Sequence, residues 1–260
     1  MDRYEIKENI GKGSYAIVKL ARDTLTDKKV AIKIYDKYKL LDPQKLNNVK
    51  REITILKKLD HVNIIKLNQI IDTRLTVNLV MEYISQLSLR QFMKNQQGKI
   101  LDEKIAKMVF KQIVFAVQYC HDFEVIHRDI KLENVMLDSS NYQIKLIDFG
   151  FAIRVQPDKK LNIFCGTPSY MSPEITRKKE YYGKPADIWS LGILQYILVC
   201  GRFPFKGKDD NQLFKKIQQG EYSFPNFVSS SAISLINRLL RQNPLERPTA
   251  KEILYDKWFN

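Results

Sequence analysis

The stretch VIHRDIKLENVML, residues 125–137, concentrates reactive side chains between two apolar runs. Within it, the eight residues from His127 to Asn134 include a histidine, an arginine, an aspartate, a lysine, a glutamate and an asparagine. Reacting groups are often carried on loops that rigid elements position. The stretch is therefore either a solvated turn or a reaction centre held between buried elements.

A second candidate group ends the alternating pattern IKLIDFG, where Asp148 precedes Phe149 and Gly150. An aspartate at the end of a strand is well placed to bind a hard cation, and Asn134 offers a second, neutral oxygen. Magnesium prefers oxygen ligands and usually takes one or two carboxylates together with substrate phosphates. The pattern predicts a magnesium site at Asn134 and Asp148, although a DFG sequence alone would carry little weight.

Two glycines near the start of the chain could approach a phosphate group. In IGKGSYAIVKLA, Gly11 and Gly13 lie between two strand-like segments. Residues without a Cβ let backbone N–H groups come close to phosphate oxygens. A plain hairpin is the alternative, and Ala16 stands where a third glycine would be expected in a phosphate-binding loop.

Lys33 lies in an otherwise apolar strand pattern, VAIKIY. A buried ammonium group without an anion is unfavourable, so this side chain must reach water or find a partner. Glu52 flanks the apolar stripe of a predicted helix and needs a partner too. We expect either an ion pair that aims Lys33 at an anion held by the glycine loop, or two unrelated side chains that both reach water.

The elements that must position these groups form two blocks. Strands are predicted in the first block at 4–10, 17–21, 30–35, 64–71 and 77–83. One helix interrupts them, because Asp42 and Pro43 form a cap with a first-turn proline and apolar residues then recur at helical steps. After Tyr83 the apolar stripes are helical, at 105–119, 186–200 and 235–240, and Thr249 with Glu252 predicts a capping box.

The composition favours a globular protein of one large domain or two lobes. Of 260 residues, 44% are hydrophobic and 28% charged, and the formal net charge is +14. The lysines and arginines occur in short groups mixed with acids, which favours a solvated lysine-rich surface over a specific nucleic-acid site. No apolar run is long enough to span a bilayer and the charged start is not a signal segment, so we expect an intracellular protein, cytoplasmic or nuclear.

The order of motifs along the chain resembles that of the eukaryotic protein kinases. It runs GxGxxA, VAIK, a helix glutamate, HRDIKLEN, DFG, GTPxYxSPE, DxWSxG and a late arginine, and covers residues 4–259. The resemblance implies an α+β, bilobal protein kinase fold. Residues 1–83 would form a small antiparallel β-sheet lobe with one main helix, and residues 84–260 a larger, mainly helical lobe. It also implies a monomeric catalytic domain.

The resemblance further implies transfer of the γ-phosphoryl group of ATP, with Mg²⁺ as cofactor. Asp129 would orient the acceptor hydroxyl and accept its proton, and Lys131 would offset charge on the moving group. Lys33, held by Glu52, would contact the α- and β-phosphates. The catalytic set implied is Lys33, Glu52, Asp129, Lys131 and Asn134, and the metal ligands are Asn134 and Asp148. The ATP site implied is Ile10, Gly11, Lys12, Gly13, Ser14, Tyr15, Ala16, Val18, Ala31, Lys33, Met81, Glu82, Ile84, Met136 and Asp148.

Other matched residues are implied to be structural. Glu174 and Arg247 would form an ion pair within the helical lobe, and Asp187 would fix the backbone of the catalytic loop. A packed column that couples the lobes would comprise Leu56, Leu67, His127 and Phe149.

Serine or threonine is the acceptor class that the resemblance implies, because Lys131 and Thr167 resemble those of serine/threonine kinases. Stretches such as HVNIIKL and LVMEYI are similar to the calcium/calmodulin-dependent and AMP-activated kinase group. The expected partners are protein substrates with serine or threonine acceptors. A pseudokinase, a small-molecule phosphotransferase and a nucleic-acid-binding protein are the alternatives.

Two departures from the family pattern lead to separate hypotheses. Ser88 and Ile197 stand where relatives often carry acids, which leaves Glu133, so we expect a weaker preference for arginine before the acceptor than in typical relatives. Ile163 stands where relatives commonly place a phosphorylatable threonine whose phosphate would pair with Arg128. We therefore expect activation not to depend on phosphorylation at that position.

Overall fold

The computed structural model describes residues 2–13, 16–84 and 87–260. The first part of the chain contains the strands β1 (Tyr4–Lys12), β2 (Ala16–Asp23), β3 (Lys29–Asp36), β4 (Leu67–Asp72) and β5 (Thr76–Glu82). They form an antiparallel sheet with the order β1-β2-β3-β5-β4. Valine, isoleucine, leucine and tyrosine supply many of the strand residues, and these side chains suit a pleated, half-buried surface.

The fourth strand begins later than the sequence predicts. β4 starts at Leu67 and not at residue 64, because the backbone of residues 63 and 65 bonds with Leu146. Ile65 N donates to Leu146 O at 3.0 Å, and Leu146 N donates to Asn63 O at 2.8 Å. The prediction of a strand over 64–71 is therefore wrong at its first three residues. An apolar run indicates burial, but it does not specify the segment with which the backbone pairs.

Helix α1 (Pro43–Leu56) begins where the sequence predicts. The Asp42 carboxylate accepts a hydrogen bond from the backbone N–H of Gln44, with an Oδ1 to N distance of 2.9 Å. Leu56 is buried, as the apolar stripe predicts, and Glu52 is buried on the same helix with 2% of its surface exposed. The helix therefore delivers a carboxylate into the interior of the protein.

The second part of the chain is mainly helical. Its α-helices are α2 (Leu89–Lys94), α3 (Glu103–Asp122), α4 (Pro173–Thr176), α5 (Gly183–Cys200), α6 (Asp210–Gln219), α7 (Ser230–Leu239) and α8 (Ala250–Ile253). Short strands pair β6 (Val125–Ile126) with β9 (Ile153–Arg154), and β7 (Val135–Asp138) with β8 (Gln143–Leu146). Turns of 3₁₀ helix lie at Lys37–Leu40, Gln97–Lys99, Leu132–Asn134, Pro168–Tyr170, Pro244–Glu246 and Lys257–Phe259. Strands β6 and β7 flank the reactive stretch, so regular backbone supports both of its ends.

Helix α5 is buried on nearly every side. It approaches α7 closely at Gly192, where a Cβ would lie 2.8 Å from atoms of both Leu239 and Leu240. A larger residue at this position would push the two helices apart. The close contact makes α5 a rigid support for the loops attached to it.

A buried ion pair joins α4 to the segment before α8. Arg247 Nη1 and Nη2 donate to Glu174 Oε1 and Oε2 at 2.7 and 2.8 Å. The guanidinium carbon lies 5.1 Å from the ring centroid of Trp189 on α5. This is the pair that the sequence predicts. Removing one partner of such a buried pair typically costs about 3–5 kcal/mol, so the contact ties distant parts of the helical lobe together.

The architecture is the bilobal α+β fold that the motifs imply, with a sheet and α1 preceding a larger helical lobe. The division of the chain into residues 1–83 and 84–260 stays a prediction, and β5 ends at Glu82, just before it. None of the described helices combines the length and the apolar character needed to cross a membrane.

Gln195 on α5 is the basis of a stability prediction. Its side chain is fully buried, and neither Oε1 nor Nε2 has a hydrogen-bond partner among the described residues. A buried amide without partners carries a desolvation penalty that an apolar side chain of similar shape does not. We expect Gln195→Met to raise the free energy of unfolding by about 1–2 kcal/mol, measured by denaturant titration.

Gln44→Met is the matched control, because Gln44 is an exposed residue of α1. This control should leave the free energy of unfolding within about 0.5 kcal/mol of the wild-type value. A loss of stability in Gln195→Met would show that the amide is satisfied, for example by buried water.

Candidate active site

Lys33 on β3 bridges two carboxylates from distant parts of the chain. Its Nζ lies 2.8 Å from Oε1 of Glu52 and 2.9 Å from Oδ1 of Asp148. Tyr35, two residues further along β3, donates its hydroxyl hydrogen to the other carboxylate oxygen of Glu52. Residues i and i+2 of a strand share a face, so β3 presents both groups to the same acid. The alternative in which Lys33 and Glu52 both reach water is wrong, because their side chains are only 14% and 2% exposed.

The electrostatics of this cluster stabilise its charged forms. Burial by itself lowers the pKa of Lys33, but the carboxylates of Glu52 and Asp148 hold that pKa well above its usual value. Burial raises the pKa of Asp148, but the charge and hydrogen bond of Lys33, together with the backbone N–H of Gly150 and other neighbours, outweigh this effect, so the pKa lies below its usual value. Burial raises the pKa of Tyr35. At neutral pH, Lys33 is a cation, Asp148 an anion and Tyr35 a neutral donor.

The carboxylate of Asp129 is held by donors on both of its oxygens. Asn134 Nδ2 donates to Oδ2 at 2.9 Å, and Lys131 Nζ lies 2.7 Å from the same oxygen. Thr167 Oγ1 donates to Oδ1 at 2.8 Å, and Lys131 Nζ donates in turn to Thr167 Oγ1 at 2.9 Å. Asp129 is buried. These contacts fix the orientation of the carboxylate before any substrate binds.

The backbone of the catalytic loop is fixed by Asp187 on α5. Its Oδ2 accepts a hydrogen bond from the N–H of His127 at 2.9 Å and lies 3.0 Å from His121 Nε2. Its Oδ1 accepts from the N–H of Arg128 at 2.9 Å. Arg128 has a φ of 67°, a left-handed conformation that is unfavourable for residues other than glycine. Asp187 compensates this strain, which is the structural role that the sequence implied for it.

Phe149 packs between the catalytic loop and the small lobe. Its ring centroid lies 4.8 Å from that of His127, in an edge-to-face arrangement. Leu56 of α1 belongs to the same buried apolar cluster, and Leu67 packs against it. The residues of the predicted column therefore lie in one continuous core.

The charged cluster borders a cleft of about 400 Å³ between the sheet and the helical lobe. The described members of the predicted ATP site all line it: Ile10, Gly11, Lys12, Gly13, Ala16, Val18, Ala31, Lys33, Met81, Glu82, Ile84, Met136 and Asp148. Ser14 and Tyr15, also predicted, lie outside the described residues. Concave, mainly apolar pockets of this size with a few polar groups are typical small-molecule sites. The cleft can therefore hold a nucleotide.

The oxygen donors in the cleft suit magnesium. Asn134 uses its Nδ2 for Asp129, and its carbonyl Oδ1 has no hydrogen-bond partner among the described residues. The Asp148 side chain is 41% exposed and lines the same cleft as Asn134. One charged and one neutral hard oxygen are ligands that magnesium accepts when phosphates complete its shell. The residues present therefore fit the implied ion.

The sequence did not predict several side chains that contact the predicted site residues. Alternation along β3 could have identified Tyr35, because it shares a face with the reactive lysine. Arg90 Nη1 lies 2.6 Å from Glu133 Oε1, and Lys145 Nζ lies 2.6 Å from Glu82 Oε1. No sequence signal identifies these pairs, whose partners are 43 and 63 residues apart. The cleft wall also includes Leu56, Ile65, Tyr83, Ser88, Gln91, Glu133 and Ile147.

Comparison with known protein families identifies the class of protein to which this site belongs. The family model of the protein kinase domain matches residues 4–259. The chain belongs to the protein kinase domain family. The kinase assignment made from the motifs is therefore confirmed.

Curated relatives of this kinase domain are much longer proteins. Serine/threonine-protein kinase SIK1 of Mus musculus and of Rattus norvegicus is 40% identical over 255 residues, and serine/threonine-protein kinase SIK2 of Gallus gallus is 41% identical over the same number. Each match covers 98% of this chain and 32% of the relative. The chain thus corresponds to about a third of the length of these relatives.

Backbone hydrogen bonds and aromatic packing attach the segment after DFG to the helical lobe. Leu161 and Tyr181 exchange backbone hydrogen bonds at 2.8 and 2.9 Å, and the Tyr181 hydroxyl donates to the carbonyl of Ile163 at 3.0 Å. The ring of Phe164 packs edge-on against that of Phe214, with 6.0 Å between centroids. Residues 151–166 contain no serine, threonine or tyrosine. Apolar packing and backbone bonds therefore position this activation segment.

We expect phosphatase treatment to leave the activity toward a protein substrate unchanged, because residues 151–166 of the activation segment contain no hydroxyl to phosphorylate. The measurement is phosphate transfer before and after treatment, with mass spectrometry of the treated protein. A kinase that carries an activation-segment phosphothreonine serves as the positive control. Loss of activity that mass spectrometry traces to a dephosphorylated residue between DFG and Glu174 would contradict this expectation.

Proposed function

We propose that this chain is an ATP-dependent serine/threonine protein kinase domain, which transfers the γ-phosphoryl group of ATP to hydroxyls of protein substrates. The observation that carries the proposal is the bridge of Lys33 between Glu52 and Asp148 at the wall of the cleft that Asn134 shares. Phosphoryl transfer requires a lysine that contacts the phosphates, a carboxylate that can bind a metal ion and an amide held in a fixed orientation. All three line this cleft. The names of the relatives support the same class of activity.

The cleft binds the nucleotide through residues of both lobes. Val18, Ala31 and Met136 form apolar walls for the base, and the backbone of residues 81–84 bonds its polar edge. The loop that contains Gly11 and Gly13 covers the phosphates. Lys33, fixed in direction by Glu52, contacts the α- and β-phosphates. Because the lysine is already held by anions, little side-chain entropy is lost when phosphate oxygens approach it.

Asn134 and Asp148 hold magnesium in this scheme. The bound ion supplies neutralisation of charge on the phosphate oxygens. Asp148 has a φ of 61°, so the local backbone is strained where the carboxylate is presented. The hydrogen bond from Asn134 Nδ2 to Asp129 keeps the amide oxygen directed away from that carboxylate.

Asp129 orients the acceptor hydroxyl and accepts its proton. An aspartate is a weak base toward an alcohol, so correct positioning contributes more than basicity. Lys131 and Thr167 hold the two carboxylate oxygens and connect the catalytic loop to the activation segment. Lys131 is then close enough to Asp129 to offset negative charge on the transferred group.

We also propose an acceptor class, a narrower kinase group, an oligomeric state and a cellular location for this domain. The acceptor is serine or threonine, and the narrower likeness is to the calcium/calmodulin-dependent and AMP-activated kinase group. The domain acts on protein substrates as a monomer inside the cell, in the cytoplasm or the nucleus, and binds no specific nucleic acid.

The rival from another class is a pseudokinase, and Asp148→Asn separates the two. Asparagine tolerates the left-handed backbone at this position, so the fold should persist while the metal carboxylate is lost. We expect kcat for phosphate transfer from ATP to a generic protein substrate to fall by at least about a hundredfold. Radiolabelled ATP gives the measurement.

Asp158→Asn is the matched control, because Asp158 is exposed in the activation segment and undergoes the same chemical change. It should retain wild-type kcat. Equal transfer by the wild type and Asp148→Asn, or none by the wild type, would favour the pseudokinase.

We also propose a preference for the substrate residues that precede the acceptor. Glu133 is the acid left to attract a substrate arginine, and Arg90 already neutralises it at 2.6 Å. Both side chains are partly exposed, so the pair is modest in energy, but it competes directly with a substrate cation. The kinase therefore prefers upstream arginine less than its relatives do.

Arg90→Ala should release Glu133 for the substrate. We expect the ratio of kcat/KM for peptides with and without an arginine three residues before the acceptor to rise about two- to fivefold. Arg74→Ala, which removes an exposed arginine elsewhere, is the control and should leave the ratio unchanged. A wild-type peptide profile dominated by arginine at that position would show that the pair does not weaken the preference.

A further inference from the structure

A second cavity of about 400 Å³ opens on the helical lobe, away from the nucleotide cleft. It is formed by the end of α5, the segment that follows it, and α6 with the residues after it. Nothing in the proposed transfer of phosphate uses this cavity.

The charges on the cavity wall are unbalanced. Arg202, Lys206 and Lys216 line it, against the single acid Glu221. None of these three cations forms an ion pair with a described residue, and all three are exposed. The acids nearest in sequence, at 209 and 210, are not part of the wall, and Asp209 is engaged as the cap of α6. The cavity therefore keeps an excess of positive charge.

The floor of the cavity is rigid. The Tyr196 hydroxyl donates to the carbonyl of Ser223 at 2.7 Å, and the Tyr222 hydroxyl donates to Asn237 Oδ1 at 2.9 Å. The rings of Tyr196 and Tyr222 pack edge to face with 6.0 Å between centroids. Because these aromatic groups are fixed by both packing and hydrogen bonds, the cavity is preformed and a ligand need not order it.

One aromatic contact connects the cavity to the catalytic loop. Phe203, on the cavity wall, packs edge to face against Tyr170 with 5.4 Å between centroids. The Tyr170 hydroxyl accepts a hydrogen bond from the backbone N–H of Leu132 at 3.3 Å. Leu132 follows Lys131, which holds the catalytic Asp129. The wall of the cavity is therefore joined to the catalytic loop through two packed rings and one hydrogen bond.

We propose that the basic cavity around Arg202, Lys206 and Lys216 binds an acidic group of the protein substrate, a carboxylate or a phosphate, while the acceptor hydroxyl lies at Asp129. The inference rests on the proposed kinase function and adds a substrate class to it. The neutralised Glu133 fits this assignment, because the acceptor site then offers little attraction to cations and the cavity offers attraction to anions. A protein segment is favoured over nucleic acid because the three cations line one confined cavity whose wall packs against Tyr170, whereas a phosphate backbone requires an extended basic face.

The test uses synthetic peptides with one serine acceptor in a neutral background. A block of three glutamates, three glutamines or one phosphoserine is placed at successive distances on either side of the serine. With the wild-type chain, kcat/KM for the best acidic register should exceed that for the matched glutamine peptide about three- to tenfold, mainly through KM. The advantage should shrink as the salt concentration rises, since exposed charges are screened.

The variant Arg202→Ala/Lys206→Ala/Lys216→Ala should abolish this advantage and leave kcat/KM for the glutamine peptide unchanged. The control Lys104→Ala/Lys107→Ala/Lys251→Ala removes the same charge from α3 and α8 and should retain the advantage. Arg202→Gln alone, which preserves much of the side chain, should reduce the advantage in part if the triple variant does not fold. The melting temperature of each variant verifies the fold.

The outcomes are distinct. Equal kcat/KM for acidic and glutamine peptides in the wild type, or an advantage that persists in the triple variant, overturns the cavity proposal while the kinase function stands. Transfer to no peptide at all counts against the proposed function instead. An advantage confined to phosphoserine identifies phosphate as the anion. Inhibition by a DNA duplex that depends on the same three cations, without an acidic-peptide advantage, would assign the cavity to nucleic acid and overturn the inference.

Discussion

A buried ammonium group must be matched by anions, and the cleft of this protein is organised around that requirement. Lys33 finds its anions in Glu52, 19 residues away, and Asp148, 115 residues away. The two carboxylates come from α1 and from the segment after β8, so one cation fixes the relative position of three separate elements. Each of the three charged groups stabilises the other two, because removing one would leave an unpaired charge that is partly shielded from water. The Tyr35 hydroxyl completes the set by satisfying the second oxygen of Glu52.

The loops that carry the reacting groups are strained, and the helical lobe supports them. Arg128 and Asp148 both have left-handed backbone conformations. Such conformations persist only where surrounding contacts over-determine them. Asp187, on the deeply buried α5, accepts hydrogen bonds from two successive backbone N–H groups of the catalytic loop. The close packing of α5 against α7 therefore contributes to the geometry of a site that neither helix lines.

Folding brings charged residues that are distant in the sequence close together, so the local charge in the structure differs from what the sequence indicates. A formal charge of +14 spread in short groups indicates a solvated surface. In the folded chain, Arg90 neutralises Glu133 beside the catalytic loop, while Arg202 and Lys216 face a common cavity and form no ion pair with the residues that the structure describes. The net charge does not reveal these local balances.

The sequence by itself determined the family, the order of a strand-rich block before a helical block, the start of α1 at its Asp42 cap and the described members of the predicted ATP site, which all line the cleft. The family and the cleft residues followed from the resemblance of the motifs to those of protein kinases. The elements followed from apolar periodicity and capping residues, which reflect local backbone geometry and burial. The tertiary structure decided whether Lys33 and Glu52 pair or reach water, where β4 begins, and which side chains oppose Glu133. Those outcomes depend on contacts between segments far apart in the chain, and local sequence places no constraint on which distant partner a buried backbone or a charged side chain will find.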